Sequence, residues 1–214
     1  MAAGQHESGI TIDRLASRQA RAAGAVIAAS HADYPAFRQI FPDPIMRRRA
    51  LLPFMTATAR DAAAHGHGLV ARDGDDVLGV ALWMPPGTFP PSGLRKFRMT
   101  PALIRVAVVT RRAVGRLASV GSSLEKAHPP GPSWYLQAMS VHPRAQRRGV
   151  GTRLIEPAIA LADEAGHACY LQTSDPANVD YYQRFGFELT QPAIATFDGG
   201  PSYIGMSRPP SRPS

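Results

Sequence analysis

The spacing of apolar residues along this chain changes period several times, and the changes divide it into elements. Ile10, Ile12 and Leu15 sit at alternate or near-alternate positions, which predicts a short first strand ending near Asp13. From Ser17 to about His31 the text is Ala-rich and helical, with Ser17 as the expected N-cap; Pro35 then disfavours helix at Tyr34. After Pro44, the residues Ile45, Leu51, Leu52, Met55 and Ala59 fall near one face, so a second helix is expected, bent or divided at Pro53. Two apolar runs, 67–72 and 77–84, flank the turn residues DGDD and predict a hairpin.

Pro85, Pro86, Pro90 and Pro91 end the sheet pattern. Residues 92–130 then read as a helical insertion through Leu103, Ile104, Val106, Ala107, Val114 and Leu117, closed by the stiff HPPGP at 128–132. Trp134 to Val141 is an apolar strand. Val150, Leu154, Ala158, Leu161, Ala162 and Ala165 then form one helical stripe that Gly166 ends; Pro157 inside it should cost a backbone hydrogen bond and kink the helix. Residues 168–173 predict a strand, 177–185 a short helix closed by Gly186, and 187–195 and 203–206 two further strands. Residues 1–8 are expected to be flexible and 208–214 to be a disordered tail. The order is strand, two helices, three strands, helix, strand, helix, two strands: a mixed α/β sheet of about seven strands in one domain spanning 9–207.

Composition narrows the chemistry. With 214 residues and 44% hydrophobic content, the chain supports one substantial core. A formal charge of +8 favours an anionic partner, and much of it lies in the insertion at Arg95, Lys96, Arg98, Arg105, Arg111, Arg112 and Arg116. Cys169 is the only cysteine, so an intrachain disulfide and a cysteine zinc cluster are excluded. MAAGQHESGI lacks a basic start followed by an apolar run, and no apolar run reaches the roughly 20 residues of a membrane span. The expectation is a cytoplasmic protein with no membrane partner.

The stretch WYLQAMSVHPRAQRRGVG, residues 134–151, carries the strongest chemical signal: a buried strand runs into a basic, glycine-punctuated turn that opens a helix. Glycine lets the backbone approach a ligand closely, and amide N–H groups at a helix start point outward with the positive end of the helix dipole behind them, a nest suited to a pyrophosphate. The turn lacks the Gly-Lys-Ser/Thr of a P-loop and the GxGxxG of dinucleotide folds. As a bare string, two glycines after basic residues are common.

Context gives the turn a family. A strand ending in Val-x-Pro, then Gln-x-x-Gly-x-Gly, a long helix, and then Asn178, Tyr182, Gly186 and Phe187 in the spacing N-x-x-x-Y-x-x-x-G-F resembles the GCN5-related N-acetyltransferase (GNAT) superfamily. HADYPAF at 31–37, the helical insertion before the central strand, WYLQAMSVHP and LQTSDPANVDYYQRFGF look like its puromycin N-acetyltransferase-like branch. The resemblance implies a GNAT fold with splayed central parallel strands, and an acetyl-CoA-dependent N-acetyltransferase that moves an acetyl group to a primary amine of a small molecule, antibiotic-like or metabolite. It implies no metal. It permits a monomer or a homodimer. Backbone amides of Gln146, Arg147, Arg148, Gly149, Val150, Gly151 and Thr152 would hold the pyrophosphate, with Arg147 and Arg148 adding charge. The backbone of Met139 and Val141 would pair with the thioester and pantetheine, Asn178 would contact the pantetheine arm, and Tyr182 would stand beside the sulfur. Tyr34 and Gln172 would face the acceptor.

These roles make chemical sense on their own. An amine attacking a thioester develops negative charge on oxygen, which a fixed N–H at Met139 can stabilise, and a phenol at Tyr182 can donate a proton or a hydrogen bond to the leaving sulfur. Puromycin-type relatives carry a glutamate where this chain has Gln172, and glutamine cannot accept the ammonium proton. A water chain, a nearby acid such as Asp33, or an acceptor already neutral could substitute, and water relayed through strand-end polar groups is the expectation. Bland alternatives stand beside each reading: Tyr182 in an aromatic cluster with Tyr181, Phe185 and Phe187, Cys169 as a buried small hydrophobe, and His65, His67 and His142 without a ligand set. A different function class remains open as well, either a non-catalytic acyl-CoA sensor or an anionic-polymer binder using the insertion. Nucleic acid fits less well, since only Phe97 there could stack on a base. Within the enzyme class, a protein lysine is the alternative acceptor.

Overall fold

The computed structural model describes residues 9–211. Its strands are β1 (Thr11–Arg14), β2 (His67–Asp73), β3 (Asp76–Met84), β4 (Ser133–Val141), β5 (Ala168–Thr173), β6 (Glu188–Ile194) and β7 (Tyr203–Arg208). They form one sheet in the order β1-β2-β3-β4-β5-β7-β6. Every neighbouring pair is antiparallel except β4 and β5, which run parallel. Side chains on successive positions point to opposite faces. Val80, Leu82 and Met84 therefore join one core cluster under α1 (Ala20–His31) and α3 (Pro44–His65), while Ala81 and Trp83 join the other under α7 (Val150–Glu164).

The β4/β5 pairing is short. It covers Ser133 to Leu136 against Ala168 to Leu171 and goes no further. Opposite β3, Trp83 pairs with Leu136 and Leu82 with Ala138, so Gln137 is an extra residue on β4. Such a bulge bends its strand and strengthens the local twist. It falls where β4 parts from β5, leaving one edge of β4 unpaired from Gln137 to Val141 while the other stays on β3.

Some details depart from the sequence reading. Three helices, not two, separate β1 from β2, because Tyr34-Pro35 starts a short α2 (Pro35–Ile40) of its own. Ser17 does not cap α1; Ser17–Gln19 is a 3₁₀ turn closed by the Gln19 side chain, whose Oε1 accepts from the Ala16 N–H at 2.9 Å. Asp43 caps α3, its Oδ1 accepting from the Ile45 and Met46 amides at 2.9 and 2.8 Å. Neither Pro53 nor Pro157 divides its helix: α3 runs 22 residues and α7 runs 15. Pro157 is exposed, so solvent can replace the bond it removes. Leu161 is 38% exposed, and Ile155 and Ile159 take its place against the sheet. Residues 1–8 and 212–214 lie outside those described. The expected tail begins too early, because Arg208 closes β7, is 8% exposed, and bonds Asp163 at 2.7 and 2.9 Å.

The insertion is three helices: α4 (Gly93–Arg98), α5 (Thr100–Val109) and α6 (Arg111–Ala127). α5 packs on α3, and α6 packs on α5, α2 and β6. Part of its positive charge anchors it. Arg95 pairs with Asp61 of α3, Lys96 reaches Glu125 at 2.6 Å, and Arg116 donates to the Gln39 and Ile40 carbonyls at 3.3 and 3.2 Å. Among the described residues no helix is long and apolar enough to cross a membrane, and no group of three or more His, Cys, Asp or Glu is placed to hold a metal.

Candidate active site

One cavity of about 1160 Å³ joins the turn after β4, the open edge of β4 and the inner faces of α5 and α6. At its basic end, β4 stops at Val141 and a 3₁₀ turn, Pro143–Ala145, redirects the chain. Gln146 Nε2 donates to the Val141 carbonyl at 3.0 Å and ties the turn to the strand end. Arg147 and Gly149 both lie in the left-handed region, at φ 58° and 72°. For the glycine this is free of penalty; for Arg147 it costs on the order of 1 kcal/mol or more, a strain of the kind found at functional sites. Gly149 caps α7 without a side-chain acceptor, so the first amides of the helix stay open to an anion, with the dipole behind them. Arg147 and Arg148 are exposed, and neither pairs with a carboxylate among the described residues.

The start of α7 lies tight against its neighbours. A Cβ on Gly151 would sit 2.5 Å from Tyr181 Oη and 3.4 Å from Met139 Cε, so glycine permits this approach. Val150 is buried, while Gly151 and Thr152 line the cavity. Met139 and Val141, half-buried on β4, complete that wall.

Tyr182, on α8 (Val179–Gln183), lines the middle of the cavity beside Tyr181 and Phe187, with ring centroids 5.3 and 6.0 Å away. Burial first, then the Tyr34 and Tyr181 oxygens, push its phenol well above the ordinary tyrosine value. The group keeps its proton and has a hydroxyl hydrogen to donate. Asn178 Nδ2 donates to Tyr34 Oη at 3.1 Å and to Thr173 Oγ1 at 3.2 Å, and Tyr34 Oη also meets Thr173 Oγ1. The Asn178 amine is thus occupied in joining three segments, which leaves its carbonyl oxygen for a ligand. Tyr34 lines the cavity as the sequence suggests, but as part of this polar knot.

Gln172 lines the cavity and is held on all sides. Its Oε1 accepts from Tyr135 Oη at 3.1 Å, and its Nε2 donates to the Leu124 carbonyl at 3.1 Å and to Tyr170 Oη at 3.0 Å. The side chain fastens α6 to β4 and β5. Asp33 does not serve as the substitute acid: its side chain is 83% exposed and faces Arg47 at 3.7 Å, outside the cavity lining.

Sequence reasoning missed His31, Ser30 and Ser140. Ser30 Oγ donates to Ser140 Oγ at 2.7 Å, and His31 Nδ1 lies 3.0 Å from the Ile27 carbonyl, with all three residues on the cavity wall. Burial pushes His31 down to about 4, so it is neutral near pH 7. Its one available signal was its place at the head of HADYPAF. Cys169 is fully buried with its thiol pushed up to about 12, which removes it as a nucleophile.

The family model for the acetyltransferase (GNAT) family matches residues 29–187. The chain belongs to the GNAT family. A curated relative, an uncharacterized N-acetyltransferase of Schizosaccharomyces pombe, is 36% identical over 66 residues, which is 31% of this chain; the match spans only 27% of that protein's length. A crystal structure described as histone acetyltransferase HPA2 and related acetyltransferase, from Corynebacterium glutamicum, is 25% identical with a TM-score of 0.66, covering 96% of this chain and 98% of the other. The PaiA N-acetyltransferase of Thermoplasma acidophilum, solved with coenzyme A, shares the fold at 11% identity with a TM-score of 0.58, covering 94% of this chain and 99% of that one. The seven-stranded sheet flanked by helices is the GNAT fold, and the parting of β4 from β5 and the glycine turn before α7 lie within the matched region.

Proposed function

We propose that this GNAT protein transfers the acetyl group of acetyl-CoA to the primary amine of a small molecule by direct attack in a ternary complex, and that it lies near the puromycin acetyltransferase-like branch. The observation that carries the reading is the single cavity that brings the glycine turn, the unpaired β4 edge and Tyr182 together. The branch assignment rests on HADYPAF, the helical insertion and the 170–187 segment.

Acetyl-CoA supplies the activated acyl group as a thioester. The residues around it have separate tasks. Amides at the start of α7, with Arg147 and Arg148 outside them, hold the pyrophosphate. The free edge of β4 between Gln137 and Val141 offers backbone hydrogen bonds to an extended arm, and the Met139 N–H is assigned to the carbonyl oxygen, where charge develops. The amine nitrogen bonds the carbonyl carbon, the carbon–sulfur bond breaks, the sulfur departs while accepting a hydrogen bond from the Tyr182 hydroxyl, and the proton that the nitrogen loses passes through water to that sulfur, so that amide and thiol are the products. The raised proton affinity of Tyr182 keeps its phenol neutral, which suits hydrogen bonding to the leaving sulfur and leaves no tyrosinate to act as the base. Burial of an amine against the apolar part of the wall, at Phe37, Phe54 and Phe89, favours its neutral form, which lessens the need for a protein base. Holding the two reactants together in a secluded cleft supplies much of the rate.

Titration calorimetry with acetyl-CoA tests the donor; no heat at high micromolar ligand would remove it. Tyr182→Phe should lower turnover by about 10-fold or more while leaving acetyl-CoA affinity within about twofold. Unchanged turnover would take Tyr182 out of the chemistry. A second reading, an acyl-CoA sensor, is favoured by the fully engaged Gln172, which leaves no glutamate-like base at that position. Cofactor binding without thiol release against a broad amine panel would decide for the sensor.

A further inference from the structure

Away from the glycine turn, the cavity is lined by α2, α3, the 85–92 loop and the insertion, which together bound a chamber. Its wall is apolar: Phe37, Phe54, Phe89, Leu103, Leu117 and Tyr135 face it. Phe89 and Tyr135 sit 4.3 Å apart between ring centroids with their planes inclined at 43°, and together they form an aromatic corner. Charge is scarce here. Glu125 Oε2 is 2.6 Å from Lys96 Nζ, so its carboxylate is paired, and Asp175, whose carboxylate accepts from the Ala177 amide at 3.1 Å, lies at the Thr173–Asn178 end of the cavity. His31 adds no charge near neutral pH. A second ammonium group entering the chamber would be desolvated with only the Lys96-paired Glu125 carboxylate near it, which is unfavourable. A ring or branched alkyl body would instead exchange water for aromatic and aliphatic contact.

We infer that the acceptor is a monoamine carried on an apolar, ring-sized body, and that α5 and α6 select for that body through Leu103 and Leu117. The inference rests on the acetyl-transfer reading above and narrows its substrate. A polyamine fails for want of a second carboxylate. A peptide lysine fails because the chamber is covered by the insertion, whose α6 is bonded through Leu124 to Gln172 of β5.

The test uses the full chain with acetyl-CoA and three acceptors: 2-phenylethylamine, spermidine and a lysine-bearing peptide, each followed by thiol release and by mass of the acetylated product. The expected result is a kcat/KM for 2-phenylethylamine roughly tenfold or more above the other two. Leu103→Glu, at a half-buried position that tolerates a polar group, should raise the KM for 2-phenylethylamine by roughly tenfold and lower that for spermidine, with acetyl-CoA affinity unchanged. Leu117→Ala should raise the first KM without helping spermidine. Preference for spermidine or the peptide in the parent protein would overturn the inference and leave acetyl transfer standing. Binding of acetyl-CoA with none of the three acetylated would also overturn it. Absence of acetyl-CoA binding would instead fail the underlying reading, and calorimetry without any amine separates the two.

Discussion

His31 is a base that the fold keeps uncharged. Burial on the cavity wall holds it near 4, against an ordinary 6.5, and His67 is pushed to about the same value by burial and by Arg14. Between those values the unfolded chain takes up protons that the native protein refuses, so stability must fall as pH drops from about 6.5 toward 4. The carboxylates act in a different window. Asp13 beside Arg72, and Asp163 beside Arg208, are held below the ordinary 3.8, and their contribution is lost only at more acidic pH. We therefore expect Tm to decline across pH 6.5 to 4, and His31→Gln to flatten part of that slope, with the His67 share remaining. A Tm independent of pH over this range would mean that neither histidine is buried as described. Turnover near pH 7 should show no titration from His31 itself.

At the level of elements, Gln172 shows how one side chain fixes the position of a whole helix. Its amide donates to α6 at the Leu124 carbonyl and to Tyr170 on its own strand. Gln172→Glu would remove both donors and place a charge among buried phenols. The expected loss is about 2–3 kcal/mol in urea unfolding, with no gain in thiol release. Faster turnover would show instead that the position works as a base. The same residue marks where sequence ceased to be informative. The strand, glycine turn and helix at 134–151 were readable because consecutive residues build them, and the spacing of Asn178 and Tyr182 placed α8 on the same wall. The pairing of Ser30 with Ser140 and of Tyr34 with Asn178 joins segments more than a hundred residues apart, which no local period encodes. α2 was missed because its six residues hold too few turns for a period to show, and the tail was judged disordered because the partner of Arg208 lies on α7.

At the scale of the molecule, two half-sheets, β1 to β4 and β5-β7-β6, are joined by four residue pairs. A ligand arm laid along the free edge of β4 would extend that junction. Saturating acetyl-CoA should slow amide hydrogen exchange at Ala138 to Val141 more than at β1 or β6, and at about 100 times its Kd it should add about 2.7 kcal/mol of stability. Uniform protection, or none on β4, would place the arm elsewhere. The insertion has a separate consequence. α4, α5 and α6 wall the chamber but supply no strand to the sheet and no residue to the glycine turn. On the function proposed above, the donor is held wholly outside 93–127 while part of the acceptor chamber lies within it, so descent with changes confined to 93–127 could give this scaffold new amines to acylate with its grip on the thioester inherited intact.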